Sequence, residues 1–87
     1  MKDILKLKQE LESYNYNDLT VTADGSLRFS MTIHNAQSLV TRTVLLIGNA
    51  DLKYEEFEIK IDEIEEIEID TEIVLNMNGN YEIYISR

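Results

Sequence analysis

Carboxylates are the one kind of side chain that this sequence holds in a number and spacing that could do something chemical. From Glu55 to Glu72 the chain reads EEFEIKIDEIEEIEIDTE, with one base, Lys60, and ten acids: Glu55, Glu56, Glu58, Asp62, Glu63, Glu65, Glu66, Glu68, Asp70 and Glu72. Seven acids and seven bases make up the rest, so the formal charge of −9 resides in these eighteen residues. Clustered carboxylates can ligate Ca²⁺, serve as an acid–base pair on a glycosidic bond, or form a negative surface. Ca²⁺ needs oxygens that converge on a point. The run lacks a D-x-[DN]-x-[DN]-G loop, and carboxylates alternating along a strand diverge. Glycoside hydrolysis needs a deep cleft with aromatics to hold the sugar, and 87 residues without Trp argue against one. The negative surface is what remains.

The other candidates are poorer. His34, the only histidine, stands beside Asn35 where a turn is expected, with no second nitrogen or sulfur ligand in the chain to share a metal. No Cys is present, which removes disulfides and thiolate chemistry. Gly25, Gly48 and Gly79 belong to no nucleotide-binding pattern. The expectation is a non-enzymatic protein with no catalytic residue, no metal site and no cofactor. Charges interspersed through MKDILKLKQELE are unlike a signal peptide, and the longest apolar run, Val44 to Ile47, is far too short for a membrane span. A soluble, cytoplasmic protein is expected. Its acidity disfavours direct contact with nucleic acid or membrane and favours a basic protein surface.

What must position the carboxylates is a β scaffold. Phe57, Ile59 and Ile61, then Ile67, Ile69 and Ile73, alternate with the acids, as in strands with one buried and one solvated face. Ile61, Ile64 and Ile67 are three apart, which predicts a short helical turn at Asp62 and a strand resuming at Ile67. Ahead of this, Ile4, Leu7, Leu11 and Tyr14 form one stripe of an amphipathic helix over residues 3–14. Its lysines lie near the start and its glutamates near the end, against the helix dipole, so packing must hold it.

Residues 19–86 read as β-rich. A hairpin is expected around Asp24-Gly25-Ser26, with Ala23 opposite Leu27, Val21 opposite Phe29 and Leu19 opposite Met31. A second is expected around Asn78-Gly79-Asn80, with Met77 opposite Tyr81, Leu75 opposite Ile83 and Ile73 opposite Ile85, Asn80 taking a left-handed conformation. Leu39–Ile47, apolar on both parities, predicts one central strand covered on both sides. Gly48–Lys53 is expected as a loop and Tyr54–Ile61 as the next strand. The fold class is therefore α+β in a single domain, 1–87: an N-terminal helix packed on an antiparallel curved sheet or small, partly open barrel of about six strands.

On such a strand Glu66, Glu68, Asp70 and Glu72 would repeat every ~6.6 Å, with Glu56, Glu58 and Asp62 on a neighbouring strand. Phosphates on one DNA strand repeat every ~3.4 Å, so the row imitates a nucleic-acid backbone at about twice the rise. Glu63, Glu65 and an outward-facing Tyr84 beside Glu82 complete the expected partner-binding surface. In its size, its helix DILKLKQELESY followed by hairpins, and its acidic run 55–72, the chain resembles the small acidic inhibitors that phages and mobile elements direct at host defence nucleases, anti-CRISPR proteins among them. The resemblance implies a stoichiometric inhibitor that occupies the nucleic-acid groove of a CRISPR effector or another nuclease in the host cytosol. The alternative is a structural or assembly protein, a homodimer or larger oligomer joined by strand edges, whose acidic face only keeps it in solution.

Overall fold

The computed structural model describes residues 3–51 and 57–87, which form one α-helix and eight strands in two antiparallel sheets, an α+β fold. Glu56, and the start of the strand expected from Tyr54, lie outside the described residues. The helix, α1 (Ile4–Ser13), begins where the Asp3 carboxylate accepts the Lys6 N–H at 3.0 Å. Leu7, Leu11 and Tyr14 of the predicted stripe are buried in the core. The Arg87 guanidinium lies 4.7 Å from the centroid of the Tyr14 ring and ties the helix end to the chain terminus.

The larger sheet has the order β2-β1-β8-β7-β6, from β1 (Leu19–Asp24), β2 (Arg28–Ile33), β6 (Ile64–Ile69), β7 (Ile73–Met77) and β8 (Tyr81–Ser86). The smaller has the order β3-β4-β5, from β3 (Ala36–Val40), β4 (Val44–Asn49) and β5 (Phe57–Lys60). The chain crosses between sheets at two corners. One is the turn His34–Asn35 after β2, and the other a single 3₁₀ turn, Ile61–Glu63, after β5. The sheets do not close into a barrel. Alternate residues of both meet inside: Val21, Ile73, Leu75 and Ile85 from one, Leu45 and Ile47 from the other, all fully buried. Each such side chain stabilises the fold by about 1.5–3 kcal/mol relative to exposure.

Five expectations are corrected. The single central strand over 39–47 is two strands, β3 and β4, joined by Thr41-Arg42-Thr43. The Thr41 hydroxyl accepts the Thr43 and Val44 N–H groups, at 3.3 and 3.1 Å, and the Thr41 N–H donates to the Val44 carbonyl at 2.9 Å. Apolar residues fall on both parities because a turn interrupts the count; the outer face is open, with Leu39 57% exposed. Gly48 is a β4 residue opposite Gln37, not a loop residue.

The first hairpin keeps its predicted parity but slips by two. Ala23 faces Phe29, Val21 faces Met31 and Leu19 faces Ile33, around the loop Gly25-Ser26-Leu27. A two-residue slip leaves every inner-face residue inward, so alternation cannot choose between the registers. The observed one sets Asp24 opposite Arg28 and brings Ile33 fully into the core. The second hairpin has the predicted register and loop, with Asn80 at φ 62°.

The helical turn expected at Asp62 is the 3₁₀ turn, but the next strand starts at Ile64 rather than Ile67. A bulge accounts for the spacing: Ile64 faces Met77 and Glu66 faces Asn76, leaving Glu65 extra. The fifth correction concerns β5. It pairs with β4 in the smaller sheet, so Glu58 does not lie on a strand neighbouring β6.

Residues 15–17 run along the outer edge of β3. Tyr16 N–H donates to the Ala36 carbonyl at 2.6 Å, Ala36 N–H to the Asn17 carbonyl at 2.9 Å, and Ser38 N–H to Asn15 Oδ1 at 3.2 Å. Tyr16 holds φ 67°, unusual for an aromatic residue, to make this approach.

Candidate functional site

The inner face of the five-stranded sheet is apolar, so the pleat sends the intervening residues to the other side, which no described element covers. The strand registers arrange that outer face in rows. One row runs Arg28, Asp24, Glu82, Asn76, Glu66 from β2 to β6, and the next runs Ser30, Thr22, Tyr84, Val74, Glu68. Neighbouring strands are ~4.8 Å apart. Asp24, Glu82, Glu66 and Glu68 therefore lie across one surface whose only base is Arg28. Hydroxyls fill the space between them, with Thr22 Oγ1 3.0 Å from Ser30 Oγ.

Tyr84 faces outward, as its parity predicts, and its hydroxyl donates to Glu82 Oε1 at 3.0 Å. Its pKa is raised, first because Glu82 accepts that proton, then by partial desolvation and by the negative charges of Glu82, Asp24 and Glu72. Three carboxylates from separate strands and turns thus act on one phenol.

The acidic run itself bends around an edge of the molecule. Glu66 and Glu68 stand side by side on the outer face of β6, and Glu65 is exposed at the bulge. Because β6 ends at Ile69, Asp70 and Glu72 do not extend the strand row; they lie in the turn to β7, where the Asp70 N–H donates to the Glu72 carbonyl at 3.0 Å. Asp62 and Glu63 are exposed on the 3₁₀ turn at the corner, and Glu58 is exposed on the outer face of β5, opposite Leu46. Sequence reasoning missed Asp24 as a member of the face, having placed it in a loop, and treated Glu82 only as a neighbour of Tyr84. Both become visible once the strand order β1-β8-β7 is known.

None of these carboxylates is neutralised by an ion pair among the described residues. The one pair found there is His34 Nδ1 to Asp18 Oδ2, 3.3 Å, on the surface. Asp18 also accepts the Asn35 N–H at 3.1 Å, and that bond, ahead of His34, holds its carboxyl below the ordinary 3.8. Among the described residues no group of three or more His, Asp or Glu is placed to hold a metal ion. No protein-family model, curated protein or solved structure matches the chain.

Proposed function

We propose that this chain is a non-enzymatic acidic binding protein. The outer face of its five-stranded sheet, with the adjoining β5–β6 corner, enters a basic groove that evolved for nucleic acid. The observation that supports this most directly is the concentration of Asp24, Glu66, Glu68 and Glu82 on one uncovered sheet face, beside a single arginine and with no ion pair of their own among the described residues. A face kept charged only for solubility would serve as well with mixed signs. The finer form of the proposal is an inhibitor of a nuclease, such as a phage-encoded inhibitor of a CRISPR effector acting in the host cytoplasm. Association through an exposed one-sign surface is fast and weakens steeply with salt.

Edge-to-edge oligomerisation is the weaker reading at two of the four sheet edges, since residues 15–17 already occupy the edge of β3 and β6 carries a bulge and three exposed glutamates; it would have to use β2 or β5. The test is a triple charge reversal, Glu66→Lys, Glu68→Lys and Glu82→Lys, followed by binding to a nuclease captured by the wild-type chain. Loss of binding at least tenfold, with unchanged circular dichroism and with DNA competing for the wild-type interaction, is the expected result. A triple variant that binds as tightly as wild type defeats the proposal.

A further inference from the structure

The two sheets part at the end of the molecule that carries the 25–27 and 78–80 loops, away from Tyr14 and Arg87. Burial along β2 records the divergence: Ile33 is fully buried, Met31 partly, and Phe29, on the same inner face, is 54% exposed. The gap is a cleft of about 290 Å³, whose apolar lining includes Phe29, Phe57, Met77, Tyr81 and Ile83. Its rim holds Glu58 and Glu63 against one base, Lys60. Glu63 is fixed there because its carbonyl accepts the Asn78 N–H at 2.7 Å, which ties the 3₁₀ turn to the β7–β8 loop. Leu27, 86% exposed, stands in the loop that leads into Phe29. Exposed apolar groups collected at one polar-rimmed depression mark an interaction site.

The volume lies just below the range of pockets that hold drug-sized ligands, so it suits a side chain. The carboxylates at the rim, and the acidic corner continuing from them, select the charge of what carries it. We infer that this cleft is an anchor pocket for one large apolar side chain, Phe, Leu or Met, presented by a partner protein segment that is otherwise rich in Lys and Arg. The inference shares the basic partner with the reading above but assigns the anchor to a different surface, the cleft rather than the sheet face. An apolar anchor in a desolvated pocket fixes a partner's register where charge alone would let it slide.

The experiment is an NMR titration of the ¹⁵N-labelled chain with three synthetic peptides: Lys-Arg-Phe-Lys-Arg, its glycine analogue Lys-Arg-Gly-Lys-Arg, and the acidic Glu-Asp-Phe-Glu-Asp. The expected result is shift changes centred on Phe29, Phe57, Tyr81 and Ile83 with the first peptide. Affinity should fall at least fivefold for each of the other two, and at least fivefold for the first peptide with Phe29→Ala or with the exposed pair Glu58→Lys/Glu63→Lys. Glu12→Lys, an exposed position of α1 outside both surfaces, should leave that affinity within about threefold. Equal binding of the glycine peptide, with shifts confined to the sheet face, overturns the cleft and leaves the sheet-face proposal standing. Equal binding of the acidic peptide, no binding at millimolar peptide, or concentration-dependent shifts at the cleft without peptide (a second copy as occupant) also overturn it.

Discussion

In the β1–β2 hairpin the loop is Gly25-Ser26-Leu27, with its glycine first; in the β7–β8 hairpin it is Asn78-Gly79-Asn80, with its glycine in the middle. Gly79 holds φ 90°, a conformation that a side chain opposes, while a Cβ there would have room, its nearest neighbours being Tyr81 ring atoms 3.9 Å away. Gly25 is the reverse case: a Cβ on it would stand 2.7 Å from the Cβ of Tyr81. One glycine answers to backbone geometry and the other to a neighbouring strand. The difference arises because β8 pairs with both β1 and β7, which seats the two loops side by side.

The largest effect should come from the strand the hairpins share. Ile83, 4% exposed, lies between Ala23 and Leu75, and Ile83→Ala should cost about 2–5 kcal/mol in urea unfolding. Amide exchange should quicken in both hairpins; if it quickens in one alone, they do not form one unit. Next is Gly25→Ala, where the crowding against Tyr81 should cost about 1–3 kcal/mol and shift the Tyr81 resonances. Gly79→Ala should cost about 1–2 kcal/mol through φ and leave those resonances nearly in place. Equal Tyr81 shifts in the two variants would break the distinction between the loops.

The smallest effect concerns the His34–Asn35 turn, where Asn35 holds φ 50° in place of a glycine and donates its N–H to the Asp18 carboxylate. The folded Asp18 gives up its proton more readily than the unfolded one. Its contribution is therefore complete above about pH 3.8 and fades as pH falls through the lower folded value. The Asn35 amide shift, followed from pH 6 to 2, should report a midpoint below 3.8; a midpoint at or above it would contradict the geometry.

The two hairpins also show how far residues alone reach. In β7–β8, Asn-Gly-Asn fixes the loop through the conformations its residues accept, and the register follows. In β1–β2 the alternation of Leu19, Val21 and Ala23 with polar residues decides which face is buried, but not which of two registers of equal parity is adopted. The Thr41 turn inside Leu39–Ile47 stayed hidden because a threonine hydroxyl that caps a turn looks, in sequence, like a β-branched strand residue. The acidic run was legible as charge, and its alternation as strand. Its division between two sheets was not: the parity shift at Asp62 marks the turn between β5 and β6, but local spacing does not say that the chain changes sheet there. Asp24 and Glu82 join Glu66 only through strand order, a long-range pairing that no local spacing encodes.

The strip formed by Asn15, Tyr16 and Asn17 along β3 has a practical consequence. A chain shortened past residue 17 would keep most of its apolar interior but would leave the main-chain groups of Ala36 and Ser38 without these companions. Such a fragment would present β3 as an open edge, a row of main-chain groups on which another strand can pair.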